Sequence, residues 1–202
     1  MKKFITLALA LCMALSASVC ASAAEIDTDG GSGSTPVYLS STEDGTMEGD
    51  PSATAMSVTV PTALPMAMSQ TGDVTTADNC QIINNSYGAV RVKSVTISAE
   101  NGWRLTAFGD KATLASEKVD SNQLGFAICI GDGEWAVTDS SDESTQALIF
   151  APIAGCYMSG AGNAANNTVS VDYSAIVTPL STPVTNANIA NVVFVIEWDT
   201  AA

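Results

Sequence analysis

The sequence predicts an all-β protein, an antiparallel β-sandwich of about eight to ten strands preceded by a signal peptide and a flexible acidic linker. Three observations carry the prediction. Apolar residues alternate with polar ones in short runs, as where Val58 and Val60 alternate with Ser57 and Thr59, and a period of two belongs to strands. Clusters of Gly, Asn, Asp and Pro separate these runs. No segment carries an i, i+3, i+4, i+7 apolar stripe closed by caps, so helix is confined to one or two turns within residues 111–123.

The elements follow in chain order. Met1-Lys2-Lys3 is a positive start, residues 4–19 are apolar, and Ala21-Ser22-Ala23-Ala24 offers small residues for cleavage after Ala23 or Ala24. Residues 1–24 are therefore expected to be a secretory signal peptide. Val19 before Cys20 and Leu11 before Cys12 stand where a lipidation site wants a small residue, so cleavage without lipid is expected. Residues 25–52 hold seven acids, no base and few large apolar side chains, too little to offset the entropy of ordering. They are expected to form the linker, with Pro36-Val37-Tyr38-Leu39 as the patch suited to docking as a strand.

Residues 53–202 make the sandwich domain. Between Val90 and Ile97 the apolar parity changes at Ser94, which a β-bulge accommodates. Leu124, Phe126, Ile128 and Ile130 share one face, and Gly125, Ala127 and Cys129 the other. Val169, Val171, Tyr173 and Ala175 alternate with Ser170, Asp172 and Ser174. Val192-Val193-Phe194-Val195-Ile196 is apolar on both faces, as a central strand of the core is.

Composition narrows the function. The 202 residues include 21 acids, 7 bases and no histidine. Loss of Lys2 and Lys3 with the leader takes the formal charge from −14 to −16, which repels phosphate backbones and anionic lipids. Nucleic acid is excluded as a partner, since no basic patch exists to release counterions. Without histidine, neither Ser–His or Cys–His nucleophiles nor imidazole-ligated metal sites can be built. No later run approaches the ~20 apolar residues of a membrane span. Trp198-Asp199-Thr200-Ala201-Ala202 carries neither a hydrophobic tail nor a sorting motif, so attachment to the cell is expected to be non-covalent.

A glycosidase needs only two carboxylates, and the tightest acidic groups are Asp132-Gly133-Glu134 and the set Asp139, Asp142 and Glu143. With three Trp, four Tyr and five Phe in the chain, aromatics for a sugar cleft are scarce, and the protein is expected not to be an enzyme. The same five acids, Asp132, Glu134, Asp139, Asp142 and Glu143, are the candidates for a Ca²⁺ site, although their spacing matches no EF-hand loop or RTX repeat. No other cofactor is expected. Cys80, Cys129 and Cys156 are an odd set, either three buried apolar residues or one bridge and a free thiol. Asn84-Asn85-Ser86 and Asn166-Asn167-Thr168 match the glycosylation acceptor pattern, and turns explain them as well.

Asn101-Gly102-Trp103-Arg104-Leu105-Thr106 follows directly on the strand expected at residues 90–98. Its Trp-x-Leu resembles the proximal motif of the WxL family of Gram-positive surface proteins. In that family a second Trp-x-Leu closes the domain, and Phe194-Val195-Ile196-Glu197-Trp198-Asp199-Thr200 occupies the corresponding place, with Thr200 where the family has Leu. The resemblance implies non-covalent attachment to peptidoglycan, often within multi-protein surface complexes, with Trp103, Leu105 and Trp198 as the contact residues.

The expectation is a secreted, non-enzymatic protein, extracellular or associated with the cell wall, that binds peptidoglycan or other cell-surface proteins. The rival reading is a filament subunit that assembles by strand exchange, since the leader and β domain also resemble, in general character, the TasA and camelysin biofilm-matrix proteins. In that reading Met56-Ser57-Val58-Thr59-Val60 is the strand donated to a neighbour's sheet.

Overall fold

A computed structural model of the protein describes residues 24–26, 28–34, 55–69, 73–109 and 111–199. Apart from Ala24, the expected signal peptide lies outside the described residues, as do Pro36-Val37-Tyr38-Leu39 and Thr200. The strands are β1 (Ala24–Ile26), β2 (Ser32–Ser34), β3 (Val58–Val60), β4 (Met66–Met68), β5 (Val74–Thr76), β6 (Gln81–Asn84) and β7 (Val90–Ala99). They continue with β8 (Arg104–Leu105), β9 (Gln123–Ile130), β10 (Ala136–Val137), β11 (Thr145–Ile149), β12 (Tyr157–Met158), β13 (Thr168–Val177) and β14 (Ala190–Trp198). Lys111–Ala115 is the helical turn α1. The described strands outnumber the expected ones because several, such as β8, β10 and β12, span two residues, too few to show a period.

One sheet has the order β1-β3-β6-β13-β9-β10, with β8 also on β9. The second has the order β11-β7-β14-β2, with β12 also on β7, and β4 and β5 form a separate hairpin. All pairings are antiparallel except β8 with β9. The alternation read in the sequence decides which side chains meet. Val169, Val171, Tyr173 and Ala175 point inward from β13, and Val192, Phe194 and Ile196 point inward from β14. Together with Leu124, Phe126, Ile128 and Ile130 of β9 they belong to one contiguous core.

The change of parity in β7 is a bulge. Val195 faces Ser94 while the next residue, Ile196, faces Val92, so Lys93 is the extra residue and both Lys93 and Ser94 are kept from the core. Val90, Val92, Val95 and Ile97 are thereby all fully buried. A second irregularity falls in β11, where Ala147 faces Thr96 and Ile149 faces Val95, leaving Leu148 between them.

Tyr173 ties the β4–β5 hairpin to the sandwich. Its ring stacks on Phe126 at a centroid distance of 6.1 Å. Its hydroxyl donates to the Pro65 carbonyl and accepts from the Ala77 N–H at 3.2 Å, so one group holds both ends of the hairpin.

One expectation is corrected here. The sandwich begins before residue 53, because β1 pairs with β3 (Glu25 opposite Thr59) and β2 pairs with β14 (Gly33 opposite Phe194). Strand addition at a sheet edge is satisfied by backbone N–H and C=O groups, so Ser32-Gly33-Ser34 needs no apolar side chain to join. Residues 35–52, the rest of the expected linker, lie outside the described residues. The strand named as the donor in the filament reading lies within the described residues. β3 lies between β1 and β6 with Val58 and Val60 fully buried, an interior strand of its sheet.

Candidate functional site

The Trp-x-Leu segment sits at one end of the sandwich, where β7 turns into β8. Asn101 (φ 50°) and Gly102 (φ 82°) both have positive φ, and the Trp103 N–H donates to the Glu100 carbonyl at 3.0 Å. This is the arrangement of a primed turn, for which Asn-Gly is the favoured pair. The Asn101 side-chain amide donates to the Asn188 carbonyl at 2.8 Å, fixing the turn against the start of β14. Trp103 is half-buried and packs on the core, whereas Leu105 is 1% exposed and belongs to it. Of the two, only Trp103 reaches the surface.

The acidic loop between β10 and β11 comes to the same end. Leu105 N–H donates to the Glu143 carbonyl at 2.7 Å and Ala99 N–H to the Ser144 carbonyl at 2.8 Å. The exposed Arg104 and Glu143 side chains pair at 3.3 Å. Buried Gln146 organises the loop, accepting from Asp139 N–H at 2.9 Å and donating to the carbonyls of Asp139 (2.9 Å) and Asp142 (2.7 Å). The carboxylates turn back on their own chain. Asp139 accepts from Ser141 N–H at 2.7 Å, and Asp142 from Ser144 N–H (2.7 Å), Ser144 Oγ (2.6 Å) and Thr145 N–H (3.1 Å). Hydrogen bonds from Ser141 and Ser144, side chain and backbone, hold these two acids below the usual carboxylate range.

The remaining candidates lie at the other end. β7 and β14 run antiparallel from Ala99 opposite Ala190 to Val90 opposite Trp198, so Trp103 and Trp198 are separated by the length of the ladder, on the order of 25–30 Å at ~3.4 Å per residue. Trp198 packs against the chain at Gly88, where an added Cβ would lie 2.8 Å from its ring. Arg91 bonds Glu197 at 2.8 Å, and Lys93 joins the same carboxylate at 2.9 Å. Those cations, Lys93 first, lower the Glu197 pKa. Asp132 and Glu134 lie exposed in the turn after Ile130, near Ala154 and Gly155. The five acids proposed for Ca²⁺ are thus divided between the two ends, and among the described residues no three acidic or thiol side chains converge to hold a metal.

Comparison with protein-family models, with curated proteins and with solved structures finds no match to this chain. The site must be read from its own geometry.

Several sequence features take a structural role. Cys80, Cys129 and Cys156 are free thiols, the last two buried, and burial is the main cause raising all three pKa values. Asn84, the acceptor of the first glycosylation-like motif, is fully buried. Its amide donates to the carbonyls of Gly88 (2.8 Å) and Ser159 (2.9 Å), and its oxygen accepts from Ser86 N–H at 2.9 Å. Asn166, the second acceptor, is exposed. A shallow apolar depression lies on the β4–β5 hairpin, lined by Pro65, Met66, Ala67, Thr75, Thr76 and Ala77, with no titratable group among its lining residues. No described helix is long and apolar enough to cross a membrane.

Proposed function

We propose that the protein is an exported, non-enzymatic surface module that binds peptidoglycan or another cell-surface component through the end of the sandwich bearing Trp103. The setting of Trp103 carries this reading. Its indole is half-buried against the core beside a primed turn, with the exposed side chains of Asn101, Arg104 and Glu143 on neighbouring residues and strands. An aromatic ring held in place offers a rigid face to a sugar, and amide, guanidinium and carboxylate groups supply donors and acceptors for hydroxyls. The leader-like N-terminus, the absence of histidine and the Trp-x-Leu resemblance support the same assignment. In this reading Leu105 anchors the segment and Trp198 packs the opposite end.

Co-sedimentation of the chain from Ala24 onward with purified sacculi tests it. The wild type should pellet saturably. Trp103→Ala should weaken binding about tenfold, the factor equivalent to 1.4 kcal/mol, and Arg104→Gln, at an exposed position, should weaken it without loss of folding. Trp198→Phe should bind as the wild type does. A folded wild-type protein that stays in the supernatant overturns the proposal.

A further inference from the structure

We infer that residues 182–187 are a proteolytic processing site for an endoprotease with a pocket for small apolar side chains, and that the cut protein stays folded as two chains. A protease takes its substrate as an extended strand, so the segment it cuts must be accessible and free of bonds to the fold, which is where nicking concentrates. Thr182, Pro183, Val184, Thr185, Asn186 and Ala187 are all exposed, and among the described residues none of the six has a hydrogen-bond partner. The fold takes hold on either side of them. Ser181 N–H bonds the Asp120 carboxylate at 2.8 Å, and the Asn188 carbonyl accepts from the Asn101 side chain at 2.8 Å. No part of either sheet has to open to present the six residues.

The side chains select the enzyme class. The run holds no Lys, Arg, Phe, Tyr or Trp, so a pocket built for a cation or a ring has nothing to take. Pro183 has a fixed φ and holds Thr182 before it extended, and Val184 follows, 56% exposed, which assigns the Val184–Thr185 bond. Water adds across that bond and leaves a carboxylate on Val184 and an amino group on Thr185. The cut parts β14 from the chain but not from the fold. β14 lies between β7 and β2, faces β7 from Ala190 to Trp198, and keeps Phe194 and Ile196 fully buried. Asn188 and Asn191, both beyond the cut, retain their bonds to Asn101 and Glu100, so the turn beside Trp103 stays in place. What changes is refolding. An intact loop of this length holds its two ends at about millimolar effective concentration. After the cut the two chains must find each other in solution, and a fold that was reversible becomes one that does not re-form when dilute.

The folded chain from Ala24 onward is digested with elastase, whose pocket takes small apolar residues, and in parallel with trypsin, whose pocket takes Lys and Arg. Elastase should give a new amino terminus at Thr185 by N-terminal sequencing, with the released segment eluting with the body on a native column and parting from it only in denaturant. Diluted from urea to ~1 µM, far below the effective concentration of the joined chain, cut protein should fail to recover its β-sheet circular dichroism while uncut protein recovers it. Trypsin should leave the wild-type loop whole and cut after residue 184 in Val184→Arg, a change at an exposed position. Resistance of the wild-type loop to elastase, a first cut elsewhere in residues 55–199, or loss of the segment from the body on the native column overturns the inference. So does resistance of Val184→Arg to trypsin, or refolding of cut protein equal to that of uncut. Sacculus binding plays no part in these readouts, so the cut stands or falls independently of the wall-binding proposal.

Discussion

Tyr173 shows what one side chain can hold. Its hydroxyl is the shared partner of Pro65 and Ala77, and burial pushes its pKa to about 12 from an ordinary value near 10. The folded state therefore retains the phenolic proton at pH values where the unfolded chain releases it. This contribution to stability is fully present below pH ~10 and is lost as pH rises through the folded value, about 2–3 kcal/mol in all. Denaturant titrations between pH 9 and 11 should show stability falling with pH. Tyr173→Phe should flatten the curve and be less stable at neutral pH by about 1–2 kcal/mol, since it strands the two hairpin groups. The inward direction of Tyr173 was legible from its place in the β13 alternation, but the hairpin bond was not, because Pro65 and Ala77 are remote in sequence. Asn84 is a similar case. Its tripeptide reads equally as an acceptor motif or a turn, and only its burial among Gly88, Ser159 and Ser86 decides between them.

Elements of five or more residues with a regular period were legible, and the bulge in β7 is the clearest instance. Val90 and Val92 share one parity, Val95 and Ile97 the other, so a single extra residue had to stand between them. Deleting Lys93 should consequently leave a continuous ladder with β14 and a folded protein, weakened by about 1–2 kcal/mol. Deleting Thr96 turns Ile97 outward and should prevent cooperative unfolding altogether. Circular dichroism with urea titration of the two deletions separates these outcomes, and equal damage from both would refute the register. β1 and β2 were illegible for a physical reason. Their pairing rests on main-chain groups, and Ser32-Gly33-Ser34 has the composition of a linker whether or not an edge is waiting for it.

For the whole molecule, sequence distance was a poor guide to the site. Glu134 and Asp139 are five residues apart yet belong to loops at opposite ends, because β10 lies between them. Trp103 and Glu143, forty residues apart, arrive at the same end through the β8 and β11 connections. Of the candidate acids, Asp139 and Asp142 accept from serine and threonine N–H groups and Glu143 pairs with Arg104, while Asp132 and Glu134 stand exposed at the opposite end. A formal charge of −14 then acts mainly as self-repulsion. Raising NaCl from ~10 mM to ~150 mM shortens the screening length from about 30 to 8 Å and should raise the melting temperature by about 2–4 °C, the equivalent of 1 kcal/mol at this size. CaCl₂ at matched ionic strength should do no more, and a larger rise would mean that the acids do gather around the ion. One further property follows from the pairing of β7 with β14. Residues 190–198 must be present before the second sheet has its centre, and Val90 waits for Trp198. A nascent chain has therefore been made almost to residue 199 before this half of the core can close. Such non-local pairing makes folding slow, and under the proposed export a slowly folding chain would stay threadable until its last strand is made.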